Sequence, residues 1–115
     1  MRAYENIYIN GQWVASGGTD TLSVTDSTTE EIIATIPEGT AGDVDKAVAA
    51  AKAAFPAWSS LPKEARADYL MKIQAGLDAR STEIAETIAR EVGMPLTLSA
   101  IIQAGLPKAN FGIAA

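Results

Sequence analysis

Carboxylate pairs, among them Glu30 with Glu31 and Glu83 with Glu86, are the groupings in this sequence that could move a proton. Two neighbouring carboxyl groups can share general-acid and general-base work when their surroundings push their pKa values apart. The blander reading is that all four line a solvated surface, and the sequence favours it. The remaining chemistry is narrow, because the 115 residues include no cysteine and no histidine. A thiolate nucleophile, a disulfide and a cysteine–zinc site are excluded, and so is the imidazole used most often near neutral pH. Soft and imidazole ligands for a transition metal are missing for the same reason. A serine nucleophile would have only lysine, aspartate or glutamate as its base. Neither standard glycine-rich phosphate loop is present. A self-sufficient enzyme is not expected, no cofactor is expected for this segment alone, and an independent carboxylate-dependent hydrolase has no constellation behind it.

Composition limits the partners. Hydrophobic residues make up 48% and charged residues 20%, which suits a folded chain rather than a disordered one. With 14 acidic and 9 basic residues the net charge is −5. Such a balance lacks the positive footprint that nucleic acid or an anionic membrane would require. The first residues hold no apolar run of signal-peptide length. The expectation is a cytoplasmic protein of one small domain, with no nucleic-acid and no membrane partner.

The elements that must position any site are organised around a helix over residues 40–58. Val44, Ala47, Val48, Ala51, Phe55 and Trp58 recur three or four residues apart and share a face, which reads as a core helix. Thr40 and Asp43 form a capping box with Asp in the usual Glu or Gln position. Pro56 is expected to end the helix and push Phe55 out of the helical region. Upstream, residues 4–14 alternate as a hairpin around Asn10-Gly11, the preferred pair for a type I′ turn. Ser16 to Asp20 reads as a loop. Leu22 and Val24 start a second strand pair, which turns at Asp26–Glu30 and returns through Ile32, Ala34 and Ile36. Downstream, Pro62 opens a second helix with a stripe of Ala65, Tyr69, Ile73 and Leu77, flanked by Leu70. Ser81 is expected to cap a third, with Ile84, Ala85, Ile88 and Val92 inward and Gly93 ending it. The fold class is α/β, α+β within this stretch: two N-terminal β-hairpins (1–39) followed by three to four helices (40–93 and beyond).

Residues 94–115 differ. Lys108 is their only charge, and Leu96, Leu98, Ile101, Ile102, Leu106, Phe111 and Ile113 fall on more than one side of any helix. A helix apolar all round is buried or membrane-spanning, and the prolines, glycines and Lys108 argue against a span. The expectation is that protein outside this chain covers the segment.

The order YINGQWV, VTDSTTEEIIATIPEGT, DVDKAVAAAKAAFPAW, PKEARADYL and REVGMPL resembles the N-terminal portion of an NAD(P)-dependent aldehyde dehydrogenase, in register over essentially the whole chain. The resemblance implies part of the cofactor-domain scaffold of an oxidoreductase that oxidises an aldehyde to a carboxylic acid, with hydride passing to NAD or NADP. In that family a cysteine thiolate attacks the carbonyl, hydride leaves the thiohemiacetal, and water releases the acid. The resemblance places the catalytic cysteine, the glutamate base, the oxyanion-hole asparagine and the cofactor-binding turn beyond residue 115. Catalytic and cofactor-binding residues here are therefore none, and the segment alone is expected to be an inactive fragment. Its implied partners are the rest of the chain and further copies in a homo-oligomer.

Two lesser roles follow from the resemblance. The backbone around Thr25 and the acidic Glu91 align with positions that hold a structural alkali cation. Asp26-Ser27 stands where the family usually has Asn-Pro, and Glu30 where it usually has Gly. An ordinary hairpin beside a helix end is the alternative. Leu106 aligns with the mouth of the aldehyde tunnel as an apolar wall, against a favoured reading of simple core packing. A different class of function, a stand-alone interaction module docking through its apolar C-terminal segment, remains the alternative to the whole assignment.

Overall fold

A computed structural model describes residues 2–115 of the chain. A short strand, β1 (Arg2–Ala3), precedes the antiparallel pair of β2 (Asn6–Ile9) and β3 (Gln12–Ala15). Asn10 and Gly11 join them with φ of 53° and 77°, the positive values a type I′ turn demands. That turn sets Ile9 opposite Gln12 and Tyr8 opposite Trp13, whose rings meet edge to face at 5.2 Å. β4 (Thr21–Thr25) and β5 (Ile32–Pro37) pair antiparallel, with a register shift between Val24 and Thr25. β1 adds to the far side of β5 in parallel, so the sheet order is β1-β5-β4. That third strand is too short for a periodicity to show it.

The helices are α1 (Ala41–Ser59), α2 (Lys63–Ala79), α3 (Ser81–Val92), α4 (Leu96–Leu98) and α5 (Gly105–Ala114), with a π-helical turn over Ser99–Gln103. They fall into two compact units. One holds the described residues up to Thr25 together with Glu30–Ser60; the other holds Asp26–Thr29 and Leu61–Ala115.

In the first unit the capping box forms as read: the Asp43 N–H donates to Thr40 Oγ1 at 3.2 Å, and the Thr40 N–H to Asp43 Oδ2 at 3.0 Å. Pro56 does not end α1. It lies inside the last turn, with the Ser60 N–H reaching back to its carbonyl at 3.2 Å. Only one backbone donor is missing there, and Lys52, whose carbonyl would have received it, is an exposed residue. The expected core stripe is also not covered. Val44, Val48 and Trp58 are exposed and Phe55 is 64% exposed. Asp43 and Ala50 are the buried and half-buried positions of α1, one heptad apart on a neighbouring face.

In the second unit the half-buried residues of α2 are Ala65, Arg66, Ala67, Leu70, Gln74 and Leu77, so the expected stripe holds at Ala65, Leu70 and Leu77, while Tyr69 and Ile73 are exposed. α5 meets this helix in part through polar groups: Gln74 Nε2 donates to the Lys108 carbonyl at 3.3 Å, and Lys108 Nζ pairs with Asp78 at 2.7 Å. Ser81 is the first residue of α3 rather than its cap. α2 and α3 meet at Arg80, which carries no side-chain cap bond and instead grips Glu83 at 2.9 Å. Ile84, Ala85 and Ile88 face inward as expected, whereas Val92 is exposed. Gly93 ends α3 at φ 72°. The tightest packing is small: Ala85 and Ala104 are the buried apolar residues among those described, and Ser99, fully buried, donates to the Ala85 carbonyl at 2.8 Å.

Candidate functional site

The side chains with chemistry gather at three places. The first is the start of α1. Asp43 is 5% exposed, and its carboxylate accepts from the Thr40 N–H, Thr40 Oγ1 at 2.8 Å, Ser16 Oγ at 2.7 Å and the Gly17 N–H at 3.0 Å. The Thr40 backbone N–H, then the Ser16 and Thr40 hydroxyls and the Gly17 N–H, hold this carboxyl far below the usual carboxylate range, against the opposing effect of burial. The two glycines admit the approach. A Cβ at Gly17 would stand 3.3 Å from Thr40 Oγ1, and one at Gly18 would stand 2.9 Å from Thr40 Cγ2. An ionised group seated so firmly offers no proton to exchange near neutral pH. The capping box was legible; its grip on Ser16 and Gly17, more than twenty residues away, was not. Their Ser-Gly-Gly run is the only local signal for it.

The second place is the turn after β4, which the sequence singles out through Thr25 and Glu91. Thr25 ends β4 in the first unit, and Glu91 lies in the last turn of α3 in the second. Asp26, next to Thr25, is buried. Its Oδ1 accepts the Thr28 N–H at 2.9 Å and the Thr29 N–H at 3.2 Å, and its Oδ2 meets Arg90 Nε at 3.3 Å. The Thr28 N–H, then the Thr29 N–H and the Arg90 guanidinium, keep the Asp26 carboxyl below its usual range, while burial opposes them. Ser27 donates its N–H to the Arg90 carbonyl at 2.9 Å and its hydroxyl to the Glu91 carbonyl. Among the described residues no group of three or more His, Cys, Asp or Glu side chains is placed to hold a metal ion.

The third place is the apolar C-terminal segment. Leu106, on α5, is 55% exposed. Ile101 and Ile102 on the π-helical turn are exposed too. A cleft of about 290 Å³ nearby is lined by Ser81, Ala85, Leu96, Ala100, Gly105 and Lys108. Of the carboxylate pairs, Glu83 is occupied by Arg80, while Glu30 and Glu31 are exposed. No helix of the described residues is long and apolar enough to cross a membrane.

This arrangement binds its own polar groups to itself and leaves apolar surface open. Residues 13–107 match the aldehyde dehydrogenase family. Malonate-semialdehyde dehydrogenase 1 of Geobacillus kaustophilus (strain HTA426) is 44% identical over 86 residues, covering 75% of this chain and 18% of that protein. The crystal structure of lactaldehyde dehydrogenase from Escherichia coli matches with a TM-score of 0.92 at 34% identity, over 98% of this chain and 24% of that one. Aldehyde dehydrogenase C from Pseudomonas syringae, solved as a C291A mutant with NAD+ and octanal, matches with a TM-score of 0.90 at 34% identity, over 93% of this chain and 22% of that one. The chain spans about a fifth of the length of these relatives. With the family match covering residues 13–107, the chain belongs to the aldehyde dehydrogenase family.

Proposed function

We propose that this chain is a scaffold segment of a cytoplasmic, homo-oligomeric oxidoreductase that oxidises an aldehyde to a carboxylic acid with NAD or NADP, and that it is inactive by itself. The observation that carries the reading is the family match over residues 13–107 in a chain with no thiol and no imidazole. The connection from β5 to α1 does not suit a dinucleotide phosphate. The helix that follows a strand, α1 after β5, presents the Asp43 carboxylate at its N-terminus, where a pyrophosphate would need free N–H donors and no like charge. The cofactor and the nucleophile would come from protein outside these residues, which is also the partner this segment would buttress. In the same reading Leu106 forms part of the apolar wall along which the aldehyde enters, supported by its exposure on α5. The test is a steady-state assay of the purified chain with short aliphatic and aromatic aldehydes and either NAD+ or NADP+. No turnover is expected. Dehydrogenase activity that tracks the chain through purification and scales with its concentration would end the proposal.

A further inference from the structure

The turn at Asp26–Thr29 meets the end of α3, where a helix presents carbonyls without intrahelical partners and the negative end of its dipole. Carbonyl and carboxylate oxygens at such a place make a hard-oxygen environment that suits an alkali ion. Here, however, the chain supplies the donors itself. The Arg90 carbonyl takes the Ser27 N–H at 2.9 Å, the Glu91 carbonyl takes the Ser27 hydroxyl, and the Gly93 N–H turns back to the Ala89 carbonyl at 2.9 Å. Asp26, the buried carboxylate of the turn, has Oδ1 on two backbone N–H groups and Oδ2 on Arg90 Nε. The fit is close, since a Cβ on Gly93 would lie 3.3 Å from Ser27 Cβ. A cation entering this turn would compete with these donors and meet the fixed positive charge of Arg90.

We propose that Arg90 and Ser27 take over the task the family resemblance gives to an alkali ion, so that the Asp26–Thr29 turn closes on α3 without bound sodium or potassium. Ser27 is central because it supplies two donors, its N–H to the Arg90 carbonyl and its hydroxyl to the Glu91 carbonyl. Arg90 balances the charge of Asp26, with its Nε 3.3 Å from Oδ2. Both are positioning residues, and the inference does not depend on which reaction the whole protein performs.

Amide hydrogen exchange at Ser27 tests it, measured on the full 115-residue chain in potassium, sodium and choline chloride at equal ionic strength. The Ser27 amide is expected to be protected equally in all three salts. Arg90→Met should lower that protection roughly two- to fivefold in every salt, as loss of a partly exposed ion pair would. Ser27→Ala, which keeps the N–H but removes the hydroxyl, gives a second readout: protection at position 27 should fall, with no recovery in potassium or sodium. Protection that appears only with an alkali ion, protection absent in all three salts, or recovery of either variant by potassium or sodium would each overturn the proposal.

Discussion

Asp43 shows how one carboxylate can be worth more to the fold than to any reaction. Its folded pKa lies below its unfolded one, so the stability it adds is fully present above the ordinary carboxylate value of about 4. That contribution is lost as pH falls below that value toward the depressed one. Asp43→Asn should therefore lower stability at pH 7 and flatten the acid limb below pH 4, as read by circular dichroism across a pH series. An unchanged acid limb would mean another carboxylate governs it. Glu30 gives a second test. It holds φ at 61°, a left-handed value that costs an ordinary residue about 1 kcal/mol or more. Glu30→Gly should leave stability equal or raise it by up to about 1 kcal/mol, whereas Glu30→Val should lower it, in denaturant titrations. The Asn10-Gly11 turn was legible because two adjacent residue types carry the whole signal. The hold of Asp43 on Ser16, and of Arg90 on Asp26, was not, because a residue's distant partners leave no local trace.

Among the elements, α2 and α5 separate two kinds of glycine. Gly76 has open space where a Cβ would go, so Gly76→Ala should raise stability by about 0.5–1 kcal/mol. At Gly112 the added Cβ would intrude on the Gln74 side-chain amide at Nε2. Gln74 would move and release the Lys108 carbonyl, a loss of about 1 kcal/mol that offsets the gain in helix propensity. Gly112→Ala should be near neutral, and thermal unfolding of both variants distinguishes the sites. The same contact shows what the sequence missed on α2, whose expected stripe holds at Ala65, Leu70 and Leu77. Its apolar period pointed to Tyr69 and Ile73, yet a polar Gln74 faces the neighbouring helix. Periodicity counts apolar residues and cannot anticipate an interhelical amide. The error at Pro56 is of another kind: a proline in a final turn removes one hydrogen bond, too little to stop a helix whose capping box and alanines hold it.

Across the molecule, buried apolar residues are few, and the large ones are mostly in water. Val44, Val48 and Phe55 on α1, and Leu96, Leu98, Ile101, Leu106 and the 84% exposed Ile113 beyond α3, are examples. Burying each such side chain is worth about 1.5–3 kcal/mol, and monomers rarely leave so much apolar surface open. The purified chain should self-associate in light scattering, bind the dye 1,8-ANS, and be cut by trypsin after Lys108. A compact monomer that binds no dye and resists cleavage would favour the interaction-module reading instead. The sequence signalled the uncovered C-terminal segment through its lack of charge. It gave the opposite sense for α1, because an apolar stripe looks the same whether its cover lies within the chain or outside it.

The Ser99–Gln103 turn closes through the Ala104 N–H on the Ser99 carbonyl, one residue wider than an α-helical turn. Each residue advances an α-helix by about 100°, so a widened turn works as a phase shifter. Positions before and after it no longer share a common wheel, which is why no single helical face could be drawn through Leu96, Ile101, Leu106 and Phe111. A loop of slack of this kind also lets a helical segment change length by one residue locally, with the strands and the other helices keeping their places.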